Sequence, residues 1–327
     1  MTSSPILDQK LCRVSRRNPC PICGKRKWCG YAEDGSFAIC MEISEGSVKE
    51  TANGGYIHIL KETEPRDFPR LARQAKKPQP IIAPIEQRHR VYTGLLERLT
   101  LSGAHGDSLM GRGLSDTTIA RDLYASVPRQ KTIRKVCADL ATHFDLQNVP
   151  GFSRQDNKWH LNLTDWHAGF LVPVRDKYGR IQACQIRRDT GQPRYIWLSS
   201  AGLSDGASSG APVHFARPWR VASTGEAIIT EGSLKSAVIS EHLDACAIGI
   251  AGVSSFGDDF GQWLKSQLPQ LEHVLIAFDS DWHKNPDVER AMLRLMATIE
   301  AAGLAGGLLD WSEAKGLDDL LTREVNA

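Results

Sequence analysis

No stretch of the chain approaches the roughly 20 consecutive apolar residues that a membrane-spanning helix needs. Met1 to Lys10 also lacks the basic start and apolar middle of a secretory signal. Both absences predict a cytoplasmic protein with no membrane partner. Neither sign of charge prevails, since 40 Lys+Arg face 38 Asp+Glu, and the overall balance therefore favours no partner by itself. No internal repeat is present, which sets aside repeat architectures, and the only compositionally biased tract is a Pro-rich one. The cysteines are not spaced as a disulfide framework. Five of the eight (Cys12, Cys20, Cys23, Cys29, Cys40) fall in the first 40 residues and the others stand far apart, a clustering that points to metal ligation.

What is present suits a folded protein of two or three domains. The 327 residues are 41% hydrophobic, enough for an ordinary core and too many for intrinsic disorder. The near-neutral total conceals an asymmetry: residues 1–90 carry a net +6, residues 91–214 a net +4 and residues 215–327 a net −8. A basic front joined to an acidic end suggests a polyanion-binding surface that serves a carboxylate-rich metal site.

The pattern predicts four segments. Residues 1–62 form a turn-rich metal module, with β-like runs at Ser36 to Ile39 and Tyr56 to Ile59. Residues 63–88, rich in Pro, Arg and Lys, form a semi-extended linker. Residues 89–220 open with helices at Tyr92 to Leu101 and Ile133 to Phe144, and with a helix start that Ser115 caps. Strands follow at Phe170 to Val174, Ile181 to Ile186 and Tyr195 to Leu198. Residues 221–327 alternate strand and helix: Ala227 to Thr230, Leu234 to Leu243, Ala245 to Ile250, Asp259 to Leu268, His273 to Phe278, Asp287 to Ala302, Gly307 to Leu309. That alternation predicts a mainly parallel α/β sheet with helices on both faces and ligands at its C-terminal edge.

Two constellations carry chemistry. Cys20-Pro-Ile-Cys23 is a two-thiolate knuckle for one tetrahedral Zn²⁺, which Cys29 and Cys40 complete from the arms of a following hairpin; His58 or Cys12 stays open as a replacement for one of them. Lys10, Arg13, Arg16, Arg17, Lys25, Arg26 and Lys27 lie in an acid-free stretch beside Trp28, a combination suited to single-stranded nucleic acid, with a merely solvated basic face as the other reading. In the last block Glu231 ends the first strand, and Asp279 and Asp281 follow the third. All three therefore fall on one sheet edge, where they suit Mg²⁺ or Mn²⁺. Arg112, Arg187, Arg188 and Arg194 supply fork-shaped donors for a triphosphate or template backbone, while each alone reads as an ordinary edge charge. Lys235, one turn after Glu231, either pairs with it or steadies a phosphate.

These residues carry a resemblance. Glu231-Gly232 after an apolar strand, Gly252 after the second strand and Asp279-x-Asp281 after the third resemble the Toprim domain. Met110-Gly-Arg112-Gly113-Leu114-Ser115-Asp116, Gly169 through Arg187, and Arg194-Tyr195-Ile-Trp-Leu-Ser199-Ser200 resemble, in order, segments of bacterial-type (DnaG-like) DNA primases of phage and plasmid type. Departures include Lys235 at a common Asp position, a missing Asn after Tyr195, and Ser209 where a Lys often stands. The resemblance implies a zinc-ribbon module, a mixed α+β primase core subdomain and a C-terminal Toprim subdomain. It also implies that Glu231, Asp279 and Asp281 are catalytic, with Asp318 and Asp319, in Gly316-Leu-Asp-Asp-Leu, at the late acidic position that holds a second cation, Asp319 being taken as the Mg²⁺ ligand. It further implies synthesis of short RNA primers from nucleoside triphosphates on a single-stranded DNA template, with a replicative helicase in trans as an open partner. The competing readings are a Toprim-type nuclease and a non-catalytic single-stranded nucleic-acid-binding accessory protein.

Overall fold

The computed structural model describes residues 11–26, 28–51, 54–60, 81–280, 282, 285–311 and 313–325. The chain divides into two compact units, residues 1–78 and 79–327.

The first unit is a five-stranded sheet of short strands in the order β1 (Leu11–Arg13), β2 (Gly30–Ala32), β3 (Phe37–Cys40), β5 (Tyr56–Ile59) and β4 (Lys49–Glu50). All its pairings are antiparallel. Its buried centre consists of Val14, Cys20, Cys29 and Cys40, with Ile22, Tyr31 and Met41 packed against them. Three of those four core side chains are thiols, so apolar burial alone supplies little stability here.

The second unit opens with α1 (Ile85–Glu97), α2 (Gly103–Met110) and α3 (Asp116–Asp122), then the two-residue strand β6 (Ala125–Ser126) and α4 (Gln130–His143). Helix α1 begins earlier than the apolar pattern predicts and takes in residues 85–88; between Ile85 and Val91 its residues are polar, so the apolar repeat becomes visible only from Val91. Ser115 caps α3, its hydroxyl accepting from the Thr118 amide at 3.2 Å. In α4, Ile133, Val136, Cys137 and Leu140 are buried at helical spacing. The hairpin β7 (Phe152–Gln155) and β8 (Lys158–Leu161) leads to β9 (Gly169–Arg175), β10 (Ile181–Arg188) and β11 (Tyr195–Trp197), which form an antiparallel sheet in the order β11-β10-β9-β6.

After β12 (His214–Ala216) and the single turn α5 (Val221–Thr224) the chain alternates: β13 (Glu226–Glu231), α6 (Ser233–Leu243), β14 (Ala247–Ile250), α7 (Phe260–Gln267), β15 (His273–Ala277), α8 (Pro286–Ala301), β16 (Ala305–Leu308) and α9 (Leu317–Val325). The sheet order is β12-β14-β13-β15-β16, parallel except at β12. Period-two side-chain alternation sorts the strands' residues between two cores. Ile229, Ile248 and Ile276 pack with Leu264 of α7 and Leu295 and Ile299 of α8, whereas Ile228, Ala247 and Ala277 pack with Ile239 of α6 and Leu317 of α9. The chain leaves β13 on one side for β14 and returns on the other as β15, so the C-terminal end of β13 is the sheet's switch point. Among the described residues no helix is long and apolar enough to cross a membrane.

Candidate functional site

In the first unit one sulfur atom from each of Cys20, Cys23, Cys29 and Cys40 lies within 4.8 Å of the others. Cys23 and Cys29 are 3.7 Å apart, close to the roughly 3.8 Å that tetrahedral coordination with Zn–S bonds of about 2.3 Å requires. The knuckle closes through Gly24, whose φ of +69° favours glycine and whose amide donates to the Cys20 carbonyl at 2.9 Å. Backbone amides then surround the sulfurs. Met41 N donates to Cys29 Sγ at 3.4 Å, and Ile43 N to Cys40 Sγ at 3.3 Å. Burial pushes the Cys29 thiol up to about 12, opposed by the Met41 amide and reinforced by the neighbouring sulfurs, so that a thiolate here requires a cation. The donor set fits structural zinc. His58 and Cys12 are not in the group: His58 is buried and its Nε2 lies 2.8 Å from the Ile43 carbonyl, bracing the loop that follows Cys40.

Arg16, Arg17, Lys25 and Arg26 are exposed, and Trp28 is 87% exposed. Lys25 pairs with Glu42 at 2.7 Å. Lys27 lies outside the described residues.

In the second unit the parallel register sets Thr230 beside Ala277, which brings Glu231 and Asp279 to the same sheet edge. Asp281 lies outside the described residues. Asp279 is held from two sides: the Lys235 ammonium, from the first turn of α6, bonds Oδ1, and Lys315 lies 3.5 Å from Oδ2. Lys235 thus reaches across to Asp279. Burial weakens its ammonium's hold on the proton, but bonding to Asp279 and the charges of Asp279, Asp318 and Glu231 outweigh this and raise its pKa.

The late acidic residue at this edge is Asp318. Asp319, its neighbour, is exposed, as expected when successive helical residues point about 100° apart. Asp318 is 3% exposed; its Oδ2 lies 3.5 Å from Arg112, and its Oδ1 is buried with no hydrogen-bond partner. Burial raises its pKa, partly opposed by Lys235 and Arg112. Asp279 and Asp318 approach each other here, with Glu231 at the end of the neighbouring strand, while among the described residues the one group of acidic, His or Cys side chains close enough together to hold a metal is the four-cysteine cluster.

Beside this edge lies a cavity of about 200 Å³ lined by Gln185, Tyr195, Glu231, Leu234, Lys235 and Ala251. Ser233 Oγ donates to Gln185 Oε1 at 2.6 Å, tying the start of α6 to β10. Arg187, paired with Tyr195 across β10 and β11, lies over the Phe170 ring at 5.4 Å. Burial lowers its pKa, Tyr195 raises it, and the nearby charges of Arg112 and Arg194 lower it further, so these three guanidinium groups share one neighbourhood. Arg188 does not join them. It is 7% exposed, stacks on Trp166 at 4.0 Å and directs its donors to the carbonyls of Trp166, Gln192 and Pro193. Adjacent strand residues face opposite sides, so Arg187 and Arg188 cannot both face the cavity.

In fold, the chain is similar to bacterial primases. The zinc-binding and RNA polymerase domains of the Aquifex aeolicus primase align over 75% of this chain and 60% of theirs, with a TM-score of 0.57 and 16% identity. A DnaG primase catalytic domain bound to single-stranded DNA aligns over 73% of this chain and 75% of its own, with a TM-score of 0.55 and 17% identity. The RNA polymerase domain of Mycobacterium tuberculosis primase aligns over 72% of this chain and 77% of its own, with a TM-score of 0.52 and 14% identity. The chain thus spans about three-fifths of the Aquifex fragment's length. Residues 219–327 match a family model described as a domain of unknown function, DUF3854. No curated protein matches the sequence.

Proposed function

We propose that this chain is a DNA primase that makes short RNA primers on single-stranded DNA by metal-dependent nucleotidyl transfer, in phage or plasmid replication. The observation that supports this most is that Glu231 and Asp279 fall at the same switch-point edge of the parallel sheet, beside a cavity lined by Glu231, Lys235 and Tyr195, in a fold similar to bacterial primases. The block from 221 to 327 is read as a Toprim subdomain, residues 85–220, from the start of α1, as the remainder of the catalytic core, and residues 1–62, joined to it through the following segment, as a zinc module that grips template.

Nucleotidyl transfer joins a 3′ hydroxyl to the α-phosphorus of an incoming triphosphate and releases pyrophosphate. Bound Mg²⁺ or Mn²⁺ on Glu231, Asp279 and Asp281 would lower the charge barrier at the attacking and leaving oxygens. Arg112, Arg187 and Arg194 would orient the triphosphate and template phosphates; the three share one neighbourhood, in which Asp318 pairs with Arg112. Tyr195 and Gln185 line the same cavity and would bound the nucleotide.

Purified protein, nucleoside triphosphates, Mn²⁺ or Mg²⁺ and varied single-stranded templates test the reading directly. Labelled oligoribonucleotides are expected, lost in Asp279→Asn. Shortened template without new RNA would instead identify a nuclease, and binding without either product an accessory protein.

A further inference from the structure

Asp279 and Asp318 approach each other from different elements, the end of β15 and the start of α9. A Cβ on Gly316 would stand 2.4 Å from Asp318 Oδ1 and 3.3 Å from both Asp279 Oδ1 and Lys235 Nζ. Two carboxylate oxygens and one ammonium therefore converge on a single point above a residue with no side chain. Converging carboxylate oxygens ordinarily call for a divalent ion to hold them. Here the ammonium of Lys235 stands at the Asp279 side of that point, bonded to Asp279 and not to Asp318, whose Oδ1 lies buried nearby with no hydrogen-bond donor among the described residues.

The local charge is already nearly matched. Lys235 and Lys315 face Asp279, and Arg112 faces Asp318. With Glu231 counted the set is neutral, so each divalent ion added leaves it two charges more positive and the second binds against the excess left by the first.

We propose that Lys235 is a built-in cation that takes the place of a second divalent ion between Asp279 and Asp318, so that this site loads one divalent cation. The inference rests on reading Glu231 and Asp279 as cation ligands. An ammonium carries half the charge of such an ion and has no empty coordination position. It positions the two carboxylates and lowers their repulsion but activates no water or hydroxyl itself. It is also permanent, so the Asp279–Asp318 side stays neutralised at cation concentrations too low to fill the remaining position.

The test is a manganese titration of the full-length, zinc-loaded protein, with free Mn²⁺ followed by electron paramagnetic resonance and sites counted relative to Asp279→Asn. Wild type is expected to bind one Mn²⁺. Lys235→Asp, which replaces the ammonium by a third carboxylate, is expected to bind two. Lys235→Gln is expected to bind its Mn²⁺ at least tenfold more tightly, because only the more distant and more exposed Lys315 then competes for Asp279. Two ions in wild type, or variants indistinguishable from wild type, would overturn the proposal. Zinc content and melting temperature report folding, and the wild-type count decides the matter should neither variant fold. No Mn²⁺ above the Asp279→Asn level in wild type would overturn the acidic-site reading itself as well. Bound Mn²⁺ with no primer synthesis would leave this inference standing and remove the primase.

Discussion

Ser233 and Gln185 meet at 2.6 Å, both buried, one at the first turn of α6 and the other midway along β10. This bond ties α6, which packs on the parallel sheet, to the antiparallel sheet beside the candidate cavity, in addition to the Arg175 amide–His214 bond between β9 and β12. Ser233→Ala would leave Gln185 Oε1 buried without a donor, a loss of about 1–3 kcal/mol. The expected result is a lower denaturant midpoint with an unchanged m-value, read by urea unfolding. An unchanged midpoint would mean the two sheets do not depend on this contact.

His214 gives a pH dependence of defined sign. Its Nδ1 accepts the Arg175 amide at 3.0 Å, and burial, aided by Arg175 and opposed by Asp122, lowers its pKa from 6.5 to about 4. The folded state therefore holds the ring neutral, and the stability it contributes is complete above the unfolded value and falls as pH drops from 6.5 towards 4, by up to about 3 kcal/mol. Burial likewise lowers His89 and His167, which remain in a His214→Gln variant, so the difference between the two proteins isolates His214. The wild type should lose more stability between pH 7 and pH 4.5 than the variant; parallel curves would refute this.

Elemental analysis of protein prepared without chelator should find one zinc per chain. Cys40→Ser should lower that content and expose the first unit to proteolysis while residues 79–327 remain folded, since the first unit's core is largely the sulfur cluster itself. Full protease resistance after zinc removal would assign that unit's stability to its apolar contacts.

Trp28 stands 87% exposed among cations. If it stacks on a base, Trp28→Ala should weaken single-stranded DNA binding by roughly 10- to 100-fold at fixed salt and leave the melting temperature unchanged. Arg16→Ala should instead lower the salt dependence of binding. Equal affinity of wild type and Trp28→Ala would return the residue to an ordinary exposed aromatic.

Legibility in the sequence followed the physics of each element. The alternation from Glu226 onward was readable because its strands are short apolar runs and α8 repeats its apolar residues every three or four positions, from Ala291 and Met292 to Leu295 and Ile299. The β7–β8 hairpin was not foreseen: Asp156 and Asn157 both take positive φ, +48° and +59°, which Asp and Asn tolerate without the glycine that marks such turns. At the acidic edge the sequence shows adjacent aspartates but not which one the helix turns inward, and Asp318, not Asp319, is buried. Similarly, the run Arg187-Arg188 reads as two equal donors until the strand assigns them to opposite faces. Lys235 offers only proximity to Glu231 in sequence; its bond to Asp279 depends on the crossover that returns β15 beside β13.

The sorting of Ile228 and Ile229 into different cores makes β13 a parity check on the whole edge. Inserting or deleting one residue there would send every following side chain to the opposite face, hand α7 and α8 the residues shaped for α6 and α9, and move Glu231 one step out of line with Asp279. An error of 3.3 Å along a strand would then be read out as two mismatched cores, and the acidic edge is aligned by the same packing that would reject the slip.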